Sequence, residues 1–129
     1  MRKKVLINCS NHPSSTWSSG QKEGWDEIID VPFPNVEPEW DTNDKPYQDT
    51  VMALWKAVTD VILKKADEEV FLYVAGEYSV CYEMFLRARN WLLPVAVPTT
   101  RREVVEIKNA DGSTTKSSRF EFVRWRIIG

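Results

Sequence analysis

The residues best equipped for chemistry stand close together near the amino terminus, in Ser10-Asn11-His12-Pro13-Ser14-Ser15. His12 is the only histidine of the chain. An imidazole gives or takes a proton near neutral pH, so His12 is a candidate general acid or base. The hydroxyls of Ser10 and Ser14 and the amide of Asn11 can donate hydrogen bonds to phosphate oxygens. The plainer use of the same residues is to shape a turn. Their position argues for more than a turn. They follow Val5-Leu6-Ile7, a short apolar run that reads as a buried strand. In an open α/β sheet, the loop leaving the carboxyl end of such a strand is where ligands bind.

Two further polar segments follow apolar runs in the same way. Gly76-Glu77-Tyr78-Ser79 comes after Val70–Ala75, the strongest strand signal in the chain. Gly76 would let a ligand approach the backbone closely. Glu77 offers a carboxylate to a ribose hydroxyl or a base edge; the favoured plainer use is a charge at a helix amino terminus. Thr99-Thr100-Arg101-Arg102 comes after Val95-Ala96-Val97. Its hydroxyls and guanidinium groups suit a phosphate, which arginine grips in a fork. Neighbours along a strand point to opposite faces, so at most one of Arg101 and Arg102 faces a ligand.

Other chemistries lack their signatures. Neither the Gly-x-Gly-x-x-Gly fingerprint nor the P-loop is present, so no dinucleotide cofactor is expected. The serines lack the Gly-x-Ser-x-Gly elbow of a nucleophile. Cys9 and Cys81 have no metal-ligand spacing and read as small buried residues. Glu37, Glu39, Asp41 and Asp44 are interrupted by Pro38 and Trp40, as in a solvated loop; no metal site is expected. The net charge of −2 excludes a strongly basic nucleic-acid-binding chain, yet Arg101, Arg102, Arg119, Arg124 and Arg126 crowd the carboxyl-terminal end. No secretory leader or membrane-length apolar stretch is visible, so a cytoplasmic protein with reduced thiols is expected. Six tryptophans supply bulky apolar surface, and Trp17 and Trp40, in loops, are candidates to stack on a base or seal a subunit contact.

The elements that must position these residues alternate. Strands are expected at 4–9, 28–31, 70–75 and 95–97. Ser18, with Gln21 at the reciprocal capping position, starts a short helix through Glu27. Residues 35–47 read as a loop. Val51, Leu54, Trp55, Val58, Val61 and Ile62 lie on one face of a clear helix. A third helix runs from about Ser79 to Leu92, stopped by Pro94. The tail, with Asp111-Gly112 between extended segments, is a β-hairpin. Its apolar phase switches between Phe122 and Val123, as a bulge would cause. The fold class is therefore α/β: a small Rossmann-like three-layer domain with a mainly parallel sheet and a C-terminal antiparallel β-hairpin. It is one domain over 1–129, with a core to 102 and the hairpin extension over 103–129.

The opening Val5-Leu6-Ile7-Asn8-Cys9-Ser10-Asn11-His12-Pro13-Ser14-Ser15, followed by Ile28-Ile29-Asp30-Val31-Pro32-Phe33-Pro34-Asn35, resembles small CRISPR-associated Rossmann-like proteins. These are akin to the CARF domains and ring nucleases of type III systems. The resemblance covers mainly residues 4–36, with a weaker likeness at Gly76-Glu77 and Thr99-Thr100-Arg101. It implies a homodimer that binds cyclic oligoadenylate, or another nucleotide, at the strand ends and cleaves it without metal. On that implication Ser10, Asn11 and Thr99 position phosphate, Arg101 stabilises charge and His12 protonates the leaving oxygen. The acidic loop at 37–44 and the long tail hairpin have no assigned place in that family. A non-enzymatic dimeric binding or assembly module is the alternative, carried by the tryptophans and the β tail.

Overall fold

A computed structural model of the chain describes residues 2–129. Five strands form one sheet: β1 (Lys4–Cys9), β2 (Glu27–Asp30), β3 (Glu69–Val74), β4 (Val95–Lys108) and β5 (Thr114–Ile128). The order across the sheet is β2-β1-β3-β4-β5. β1 pairs in parallel with both β2 and β3, β3 meets β4 in parallel, and β4 and β5 form the antiparallel hairpin. Three α-helices connect them: α1 (Ser19–Lys22), α2 (Lys45–Lys64) and α3 (Tyr78–Asn90).

The chain moves one way across the sheet from β1 to β2, and the other way through β3 and β4. Right-handed crossovers therefore put α2 and α3 on one face and the β1–β2 connection on the other. Side-chain alternation along the strands agrees. Val5, Ile7, Cys9, Leu72 and Val74 join Val51, Leu54 and Val58 of α2 and Val80, Met84 and Ala88 of α3 in the main core. Leu6, Phe71 and Ala96 point the opposite way, into a smaller core closed by Trp17, Trp25, Tyr73 and Trp125. That second core is aromatic because only α1 and a 3-10 turn at Ser14–Thr16 cover it. Large rings fill the area a full helix would occupy. The Trp125 indole meets Trp17, Trp25 and Tyr73 at 5.4–5.7 Å between centroids and donates from Nε1 to the Gln21 carbonyl at 2.9 Å.

Several boundaries differ from the sequence-based expectation. The first helix is one turn, not a run to Glu27; Ser18 caps it, accepting from the Gln21 amide at 3.3 Å, and Gly24 at φ 89° turns the chain towards β2. The expected loop at 35–47 gives way to helix from Lys45, because Asp44 and Pro46 fit a helix start and proline's missing N–H costs nothing in a first turn. α3 ends before Pro94. Leu92 takes a left-handed conformation at φ 55°, and the Leu93 amide bonds back to the Ala88 carbonyl.

β4 does not stop at Pro98. The Pro94 carbonyl accepts from Leu72 of β3, so alternation turns the Pro98 nitrogen to the β3 side, where pairing is confined to Leu72↔Val95. A proline there costs no bond to β5. The strand runs on to Lys108, and a turn closed by Asn109, Asp111 and Gly112 (φ 88°) returns it. The expected bulge is present: Thr99 pairs with Arg124 and Thr100 with Phe122, leaving Val123 as the extra residue.

Candidate functional site

The sheet changes direction at β1 and β3, and the loops after these strands lie side by side at its carboxyl edge. The Ala75 amide donates to the Cys9 carbonyl at 3.1 Å, tying the two loop origins together. In doubly wound sheets a ligand crevice forms at such a switch point. It brings the 10–15 segment beside Gly76 and Glu77.

A polar network holds the first loop. Asn8, fully buried at the end of β1, donates from Nδ2 to the His12 carbonyl at 2.9 Å and to Asp30 Oδ1 at 3.0 Å. Its Oδ1 accepts from the buried Ser10 hydroxyl at 2.7 Å. The Ser10 oxygen accepts in turn from the His12 amide at 3.2 Å. The Ser14 amide and hydroxyl both donate to the Asp30 carboxylate, and the Trp17 indole N–H donates to the His12 carbonyl at 3.1 Å. A buried amide, a hydroxyl, a carboxylate and an indole thus fix the main chain around His12. The side chains of Asn11 and His12 are exposed and take part in none of these bonds.

This divides the sequence-derived candidates. Ser10 and Ser14 are engaged in building the loop, while Asn11 and His12 present free polar groups on it. Asn8 and Asp30, which hold it, were not singled out from the sequence. For Asn8 the signal is a polar residue at an inward position of an apolar run, since a buried amide needs partners.

The second loop is committed differently. A Cβ on Gly76 would lie 2.5–2.6 Å from ring carbons of Phe33, a residue only 6% exposed. The close approach that glycine permits is used by Phe33. Glu77 caps α3: it accepts from the Val80 amide at 3.0 Å, the Ser79 amide at 3.2 Å and the Ser79 hydroxyl at 2.5 Å. The Ser79 hydroxyl, and then the Val80 and Ser79 amides, hold its carboxyl below the ordinary glutamate range. The buried Tyr47 completes the chain by donating to the Ser79 oxygen at 3.0 Å.

The third group lies one strand over. Counting from Leu72↔Val95, Thr99 stands about level with Gly76. The Thr99 hydroxyl bridges the bulge, donating to the Arg124 carbonyl at 3.1 Å and accepting from its amide at 3.2 Å. Thr100, Arg101 and Arg102 begin the arm that rises beyond the sheet. Alternation puts Arg101 on the face of α3 and Arg102 on the aromatic face, and both are exposed. The structure therefore brings the first two loops together, while Arg101 and Arg102 stand on β4 beyond Thr99, at the foot of the hairpin and on opposite faces.

Neither loop tryptophan is free to stack on a base. Trp17 is packed against Tyr73 and Trp125, and Trp40 rests against the main core. Cys9 and Cys81 are buried, free thiols; burial and the neighbouring Cys81 push Cys9 up to about 12. A separate groove of about 610 Å³, lined by Phe85, Leu86, Leu92, Val95, Val97 and Ile128 among others, lies on the α3 face away from the polar loops. Among the described residues no helix is long and apolar enough to cross a membrane.

No curated protein and no solved structure matches the chain. A sequence model does match, over residues 4–126, which takes in both loops, both cores and the hairpin. It is that of the Uncharacterized protein MJ1673 family, and the chain belongs to that family.

Proposed function

We propose that this protein binds a nucleotide at the carboxyl edge of its sheet, with cyclic oligoadenylate of CRISPR type III signalling as the first candidate. The observation that carries this reading is the fixed loop after β1. Three polar groups, from Asn8, Ser10 and Trp17, are spent on holding the main chain of His12, while its imidazole and the Asn11 amide remain exposed. A site held in advance loses little freedom when it meets a ligand. Arg101 and Arg124 bring positive charge to the foot of the adjoining arm, which suits a phosphate diester.

The chemistry fitting this equipment is cleavage by the ligand's own ribose. The 2′-oxygen forms a bond to the adjacent phosphorus and its proton passes to solvent. The bond to the 5′-oxygen breaks, and His12 supplies that oxygen with a proton. Asn11 orients the phosphate and Arg101 offsets its developing charge. Ser10, Ser14, Gly76, Glu77 and Thr99 act indirectly, by shaping the loops. The test is incubation with cyclic tetra- and hexa-adenylate in excess chelator, followed by chromatography. A linear product with a 2′,3′-cyclic phosphate is expected. His12→Ala should slow its formation about 100-fold or more with binding retained. Unchanged turnover in that variant would remove His12 from the mechanism. Absence of both binding and cleavage would favour the second reading, a dimeric binding or assembly module, for which the exposed hairpin speaks.

A further inference from the structure

The hairpin has more length than the fold uses. Every residue from Val104 to Glu121 is exposed, although β4 and β5 pair in register from their roots to Lys108↔Thr114. At about 3.4 Å per residue the arm reaches roughly 30 Å past Thr99, about the width of a small domain. A two-stranded ribbon on its own is marginal in water. This one also carries Phe120, Val104 and Ile107 at 68%, 58% and 52% exposure.

Glu121 stands opposite Arg101 in the register of the arm but pairs with Arg119 instead. Arg101, Arg102, Arg124 and Arg126 enter no ion pair among the described residues; only Lys116 and Arg119 are paired, within the arm itself. The opposite charge lies elsewhere on the same chain. Glu37, Glu39, Asp41 and Asp44 are exposed on the connection from β2 to α2, and they too enter no ion pair among the described residues. That connection also offers Pro38 as apolar surface. Within one chain the two blocks form no ion pair with each other among the described residues.

We propose that the arm is a clasp for a second copy of this chain, its basic foot and apolar length lying on the acidic β2–α2 connection of the other copy. A two-fold axis then satisfies both blocks twice, and the assembly closes as a dimer. In such a pair each arm crosses the carboxyl edge of its partner, over the loops after β1 and β3. The contact rests on the arm and the acidic connection alone, so it holds or fails independently of any nucleotide.

The test is sedimentation of the 129-residue chain without ligand, across a concentration series. Three charge-reversed chains accompany it: Arg101→Glu/Arg102→Glu, Glu37→Lys/Glu39→Lys, and all four together. The wild type should be a dimer. Each pair of reversals should raise the dimer dissociation constant roughly tenfold or more, and the fourfold chain should recover most of that loss. Circular dichroism establishes that each variant is folded. A monomeric wild type, a dimer indifferent to both reversals, or losses that the fourfold chain does not recover would each overturn the proposal.

Discussion

At the scale of single residues, the loop after β1 depends on groups that never reach its surface. Asn8 connects the His12 carbonyl, Asp30 and Ser10 from a fully buried position. Asn8→Ala should cost about 2 kcal/mol or more in urea unfolding, since several polar partners lose their bonds at once. His12→Ala removes only an exposed ring and should leave stability within about 0.5 kcal/mol. Equal losses in the two variants would mean that the loop is not organised as described. Gly76 gives a second contrast. Gly76→Ala forces the new methyl into the Phe33 ring and should destabilise by about 1–3 kcal/mol. Combining it with Phe33→Leu should cost less than the sum of the separate changes, because the two share one space. Ser10, Asn11 and His12 were legible in the sequence as a polar cluster behind a strand. The division of labour among them was not, since it depends on Asp30, sixteen residues beyond Ser14 in the chain. The close meeting of Gly76 and Phe33 was equally hidden, because both residues fit the local pattern without it.

At the scale of elements, apolar periodicity served best where it was longest. β1, β3 and the body of α2 stand where their apolar patterns place them, and the phase switch at Phe122 and Val123 marks the bulge. Periodicity failed where a proline carried two meanings. Pro46 reads as a breaker but sits in the first turn of α2, and Pro98 reads as a strand end but faces a side without a ladder. The end of α3 carries a further lesson. Leu92 is left-handed and 89% exposed, at a position where glycine is far easier. Leu92→Gly should therefore stabilise the isolated chain by about 1 kcal/mol in thermal or urea unfolding. At the other end of that helix, Glu77→Ala should cost about 1 kcal/mol through the lost cap. The lowered Glu77 pKa sets the sign of the pH dependence. The cap contributes fully above the ordinary glutamate pKa and is lost as pH falls through the depressed folded value. The wild type and Glu77→Ala should thus converge in stability under acid conditions.

At the scale of the whole molecule, a small parallel sheet is closed by helices on one face and by aromatic rings on the other, with a long ribbon projecting from its last two strands. The interior sets a limit at high pH. Burial raises Cys9 to about 12 from an ordinary 9.0, and burial also raises Tyr47 and Tyr73. Unfolding frees these groups to ionise, so stability should hold below about pH 9 and fall from there towards 12. A flat profile across that range, followed by unfolding at fixed temperature, would contradict the burial described. The central claim concerns the carboxyl edge, and its most direct test uses the single histidine of the chain. Its imidazole C–H gives one identifiable NMR signal, to be followed while cyclic tetra-adenylate is titrated in. The account predicts that this signal and the amides of 10–15 shift together in a saturable way, while those of the β4–β5 turn at Asn109–Ser113 respond less. A histidine signal that stays fixed while the ligand binds elsewhere, or no binding at all, would contradict it.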